Sequence, residues 1–67
     1  MFAPVVIRSP LHGEHTYTAQ DGYVVMDGTT RIARLAWIKT QAHFEKTCRR
    51  HWAAYTRKLR SMMRSMK

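Results

Sequence analysis

From Phe44 onward, apolar residues recur at steps of three and four: Phe44, Cys48, Trp52, Tyr55, Leu59, Met62 or Met63, and Met66. At about 100° per residue these side chains share an arc of roughly 100°, the pattern of an amphipathic α-helix. Lys46, Arg49, Arg50, Arg57, Arg60, Arg64 and Lys67 fall in a second arc roughly opposite, and only Lys58 strays toward the apolar edge. Just upstream, Ile32, Leu35 and Ile38 make another stripe, widened by Trp37, with Arg31, Arg34 and Lys39 supplying charge. From Arg31 onward there is neither Gly nor Pro, so this spacing predicts a first helix. Thr40-Gln41-Ala42-His43 is the softest point of the region, where the chain either bends to give two helices or runs through as one.

The first thirty residues follow other periods. Val5-Val6-Ile7 is β-branched and lies between Pro4 and Pro10, which hold their neighbours extended, so the expectation is an arm lying on a neighbouring molecule. Leu11 to His15 is polar without periodicity and reads as a loop. Thr16–Ala19 and Tyr23–Met26 flank Gln20-Asp21-Gly22, whose Asp-Gly step supplies the positive φ angles of a tight turn; a small hairpin is predicted there. Asp27 to Thr30 punctuates the chain, with Thr29 or Thr30 as the cap of the helix that follows. The expected fold class is therefore mainly α. An extended arm with a small β-hairpin covers residues 1–30, and one or two basic amphipathic helices cover residues 31–67, with little independent core.

Charge sharpens this division. Residues 1–30 hold one base, Arg8, against Glu14, Asp21 and Asp27, whereas the other eleven bases lie in 31–67 with one acid, Glu45. A basic half of this sort favours a polyanionic partner, either nucleic acid or an anionic lipid surface. Phosphates are gripped chiefly by Arg and Lys, and with so few acids interleaved the basic arc has little opportunity for i,i+4 pairing. Nucleic acid is the preferred partner, with contacts at Arg31, Arg34, Lys46, Arg49, Arg50, Arg57, Arg60, Arg64 and Lys67; an anionic membrane surface or an acidic protein remains the alternative. No residues stand out as placed to read base edges. The stripe of Phe44, Cys48, Trp52, Tyr55, Leu59, Met62 and Met66 is expected to pack on another protein or helix, because its aromatic members lie away from the arginines and its methionines adapt to a seam.

At 67 residues the chain makes at most one domain, of a size that is marginal without disulfides, metal or partners. The single cysteine excludes an internal disulfide and suits a reducing compartment. No apolar run approaches the roughly 20 residues a bilayer span requires, and the N-terminal stretch lacks the marks of a secretory signal or cleavable presequence. His12, His15, Cys48 and His51 match known zinc spacings poorly. Cys48 with a nearby histidine lacks the third group and the dry cleft that a nucleophile needs, and four scattered acids offer no general acid–base pair. The expectation is a non-enzyme without cofactor or metal.

The stretch His43-Phe44-Glu45-Lys46-Thr47-Cys48-Arg49-Arg50, followed by Tyr55, Arg57 and Arg60, resembles the small-subunit ribosomal protein S-twenty-one family, its mitochondrial members in particular. Phe44, Glu45 and Lys46 match that family's aromatic, Glu, Lys signature, and Arg49 with Arg50 matches its basic pair. Thr47 stands where the family usually has proline, and the span from Gly28 to Phe44 is shorter than the usual first helix and linker. The resemblance implies a structural protein of the small ribosomal subunit, bound to small-subunit rRNA beside other platform proteins, in the mitochondrial matrix and as an obligate part of a large complex. The competing expectation is an accessory subunit of an organellar membrane complex, its amphipathic helix on anionic lipid, and a weaker one is the target peptide of a helix-grasping partner.

Overall fold

The computed structural model describes residues 2–65, and among them the chain is a four-stranded antiparallel sheet closed on one face by a single long helix. This overturns the mainly α expectation. Strands β1 (Val5–Ser9), β2 (Gly13–Gln20), β3 (Tyr23–Met26) and β4 (Thr30–Arg34) form a meander in sequence order, followed by a 3-10 turn at Leu35–Trp37 and then helix α1, Gln41–Ser65.

Local chemistry sets each corner. Asp21 and Gly22 both adopt positive φ, at 49° and 82°, and join β2 to β3 as a two-residue turn between Gln20 and Tyr23, as their sequence predicts. The β1–β2 turn spans Pro10 to His12, where the Ser9 hydroxyl accepts from the backbone N–H groups of Leu11 and His12 at 3.3 and 3.2 Å. Val5-Val6-Ile7 is thus no free arm: it pairs with Tyr17-Thr16-His15 inside the chain's own sheet. The polar loop expected at Leu11 to His15 ends at His12, since Gly13, Glu14 and His15 already belong to β2.

The larger correction concerns residues 31–39, which form no α-helix: a strand end is followed by the single 3-10 turn at Leu35–Trp37. Arg31 to Arg34 continue β4, and a bulge between Val24 and Val25 shifts the register so that Val24 faces Ala33 and Val25 faces Arg31. Ile32 is the extra residue, and both Ile32 and Ala33 pack against the core. Two adjacent core-facing residues break the alternation that marks a strand, and with Leu35 and Ile38 they imitate a helical stripe. Thr29 and Thr30 accordingly cap nothing. Helix α1 begins at the predicted soft point, where the Thr40 hydroxyl accepts from the His43 N–H at 3.1 Å.

The core is real despite the chain's size. Tyr17, Val24, Phe44 and Cys48 are fully buried, joined by Val5, Met26 and Ile38. Phe2 stacks flat on Phe44 at 5.2 Å between ring centres, and Gln41 clamps the chain start by accepting from the Ala3 N–H at 2.8 Å and donating to its carbonyl at 3.2 Å. The seam of α1 that was expected to meet a foreign protein is therefore closed, from Phe44 to Tyr55, by the chain's own sheet. At about 1.5 Å per residue the 25-residue helix outruns that sheet and gives the molecule its 43 × 20 × 20 Å shape.

Candidate nucleic-acid interface

Because Phe44, Cys48 and Tyr55 turn toward the sheet, the basic arc of α1 turns away from it. Lys46, Arg49, Arg50, Arg57, Arg60 and Arg64 are all exposed, on a ridge about 27 Å long from Lys46 to Arg64 at the helical rise. Among the described residues the ion pair on this ridge is Arg49 with Glu45, at 4.0 Å. Lys67 and Met66 lie outside the described residues. Arg31 and Arg34 do not join the ridge: they sit on β4, where Arg31 lies over the Tyr23 ring at 4.7 Å from its centre. The expected contacts thus divide between a long helical row and a small patch on the sheet.

The apolar stripe divides as well. Phe44 and Cys48 are buried, Trp52, Tyr55 and Leu59 are half-buried, and Met62 is 53% exposed. Burial pushes the Cys48 thiol up to about 11, so it is held as a small apolar group and not as a reactive thiolate.

At the edge of this packing lies a cluster that sequence reasoning did not assemble. Asp27, at positive φ in the β3–β4 turn, accepts from the Thr16 backbone N–H at 3.1 Å through Oδ1 and bonds His15 Nδ1 at 2.6 Å through Oδ2. His15 Nε2 donates to the His12 carbonyl at 2.9 Å. With an acceptor at each ring nitrogen the imidazolium is favoured, and the bond to Asp27, followed by that to His12, raises the His15 pKa while His15 lowers that of Asp27. His51 behaves oppositely. Its Nδ1 is hydrogen-bonded to the Tyr17 hydroxyl at 2.9 Å, and burial lowers its pKa, which favours the neutral ring. Burial likewise raises the Tyr17 phenol to about 12. Tyr55 touches both rings, stacked on His51 at 5.8 Å and edge-on to His15 at 6.1 Å. The signal that locates the first pair is the Asp21-Gly22 turn: counting back along its two strands sets Tyr17 opposite Met26, and so Thr16 beside Asp27.

Beyond this cluster, the β1–β2 turn and the last turns of α1 enclose a cleft of about 310 Å³ lined by Leu11, His12, Arg60, Met63 and Arg64. Among the described residues no group of three or more His, Cys, Asp and Glu is placed to hold a metal ion, and no helix is long and apolar enough to cross a membrane. Comparison with protein-family models, with curated proteins and with solved structures finds no match to the chain.

Proposed function

We propose that this chain binds structured RNA through phosphates laid along the ridge of α1. The observation that carries this reading is the row of six exposed cations from Lys46 to Arg64, set opposite the core with Glu45 as the acid paired to it. Six exposed bases with a single acid paired among them, at Arg49, attract a polyanion at long range and release counterions on contact. The sheet packs on the opposite flank of α1 from Phe44 to Tyr55, so that part of the ridge is already formed before binding. The resemblance around Phe44 to Arg50 makes small-subunit rRNA the first RNA to test, in a mitochondrial ribosome. The two-helix layout that the resemblance implies is not the layout of this chain, so the broader statement, RNA phosphate binding, stands on the ridge alone.

The test is a salt titration of binding to a structured RNA. Replacing Arg49, Arg50 and Arg57 together by Ala should lower the slope of log K against log salt by about 2 to 3, since each phosphate contact contributes roughly 0.7 to 0.9. An unchanged slope overturns the reading. For the ribosomal form, the chain should sediment with small subunits and lose that association after nuclease.

A further inference from the structure

The ridge explains affinity for phosphates but leaves the cleft at its C-terminal end without a use. Leu11 and Met63 form its apolar part and are 72% and 62% exposed, while Arg60 and Arg64 belong to the phosphate ridge itself. The wall contributed by the β1–β2 turn is held in place: the Ser9 hydroxyl accepts from the His12 N–H, the His12 carbonyl accepts from His15, and the His12 ring meets Trp52 edge-on at 6.0 Å. A cleft of about 310 Å³ lies at the lower end of small-ligand sites, too small for a helix or a duplex. Apolar and imidazole surface bounded on one side by two guanidinium groups suits a flat, apolar-faced group that carries its own anion.

We propose that this cleft takes one unpaired nucleotide of a bound RNA, its base against Leu11, His12 and Met63 and its phosphate on Arg60 and Arg64. The proposal rests on the phosphate-ridge reading and adds a preference to it. Bases in regular duplex are stacked and out of reach, whereas a bulged or looped base is free to stack on imidazole or guanidinium planes. Met63 adapts its unbranched side chain to either ring size, so discrimination is between paired and unpaired, not among the four bases.

The experiment compares two RNA hairpins that differ only by a one-nucleotide bulge, each titrated against the full chain at several salt concentrations. The bulged hairpin should bind roughly tenfold more tightly, the lower part of what one base stack contributes, with the same salt slope. In the L11S/M63S variant, which alters no charge and no buried residue, the two affinities should become equal while the slope stays. By NMR, the His12 ring and Met63 methyl signals should shift on adding the bulged RNA and much less with the paired one. Equal wild-type affinities with a normal slope overturn the cleft proposal and leave the ridge standing. A flat slope, or no binding to either RNA, removes both. Saturable binding of a long-chain fatty acid that the bulged RNA does not displace also overturns it.

Discussion

Along α1 one pattern of side chains meets two fates. From Phe44 to Tyr55 the apolar flank is shut against the sheet, with Phe44 and Cys48 wholly inaccessible. From Leu59 onward the same flank runs beyond the strands and leaves Met62 and Met63 more than half exposed. The basic flank is exposed throughout. Periodicity thus shows that a face exists, and topology decides whether the chain covers it. What distinguishes the two stretches is the side-chain type opposite them: Tyr17, Val24 and Met26 on β2 and β3 below the first, and only the Leu11–His12 turn beside the second.

The contrast is broken most directly at Phe44. Replacement by Ala removes the Phe2 stack and opens a cavity between sheet and helix, at a cost of about 3–5 kcal/mol. Whole domains are stable by only about 5–15 kcal/mol, so urea titration followed by circular dichroism should find the unfolding midpoint of the variant far below that of the parent. A variant as stable as the parent would mean that the sheet does not close the first half. Tyr17→Phe tests the same closure more gently. It keeps the ring but removes the hydroxyl bonded to His51 Nδ1, and the expected loss is about 1–2 kcal/mol in the same urea titration.

How much of this was legible in the chain differs by element for physical reasons. The β2–β3 hairpin shows in Asp21-Gly22 because few residues tolerate two consecutive positive φ angles. The α1 ridge shows because 25 residues repeat one period. β4 is hidden because its bulge places Ile32 and Ala33 on the same side, and the Gly13–His15 end of β2 because the inward position there is filled by His15, a polar residue that alternation discounts. The arm became an edge strand for a related reason: Pro4 and Pro10 announce extended backbone but not its partner. The site residues on the ridge follow from spacing alone, whereas the cleft needs the β1–β2 turn brought beside Arg60, a contact that no local pattern encodes.

The two histidines that touch Tyr55 extend the comparison to pH. His15 has a raised pKa, so its contribution is complete below the ordinary value of 6.5 and is lost as pH rises through its higher folded value. Asp27 has a lowered pKa, so its contribution is present above 3.8 and is lost as pH falls through its lower folded value. Their bond is therefore strongest between about pH 4 and 6.5. His51, lowered by burial, works the other way, contributing above 6.5 and losing that contribution as pH falls through its folded value. Replacing Asp27 by Asn should cost about 1 kcal/mol near pH 5.5, or roughly 4–8 °C in Tm. That deficit should narrow as pH rises well past 6.5. A deficit constant from pH 5 to 8.5 would show that His15 does not titrate against Asp27.

The smallest effect expected lies at the far end of the helix. Met62 and Met63 keep more than half of their surface exposed in this chain, so changing both to Ser should move stability by no more than about 0.5 kcal/mol, the usual range for exposed positions. The measurement is the same urea titration, set beside Phe44→Ala. If the pair costs several times that amount, the last turns of α1 are covered in solution, by a second copy or by a fold-back of the chain, and the comparison between the two halves fails. If the cost is negligible while the preference for an unpaired base disappears, the uncovered half of the stripe has its use in binding and none in folding.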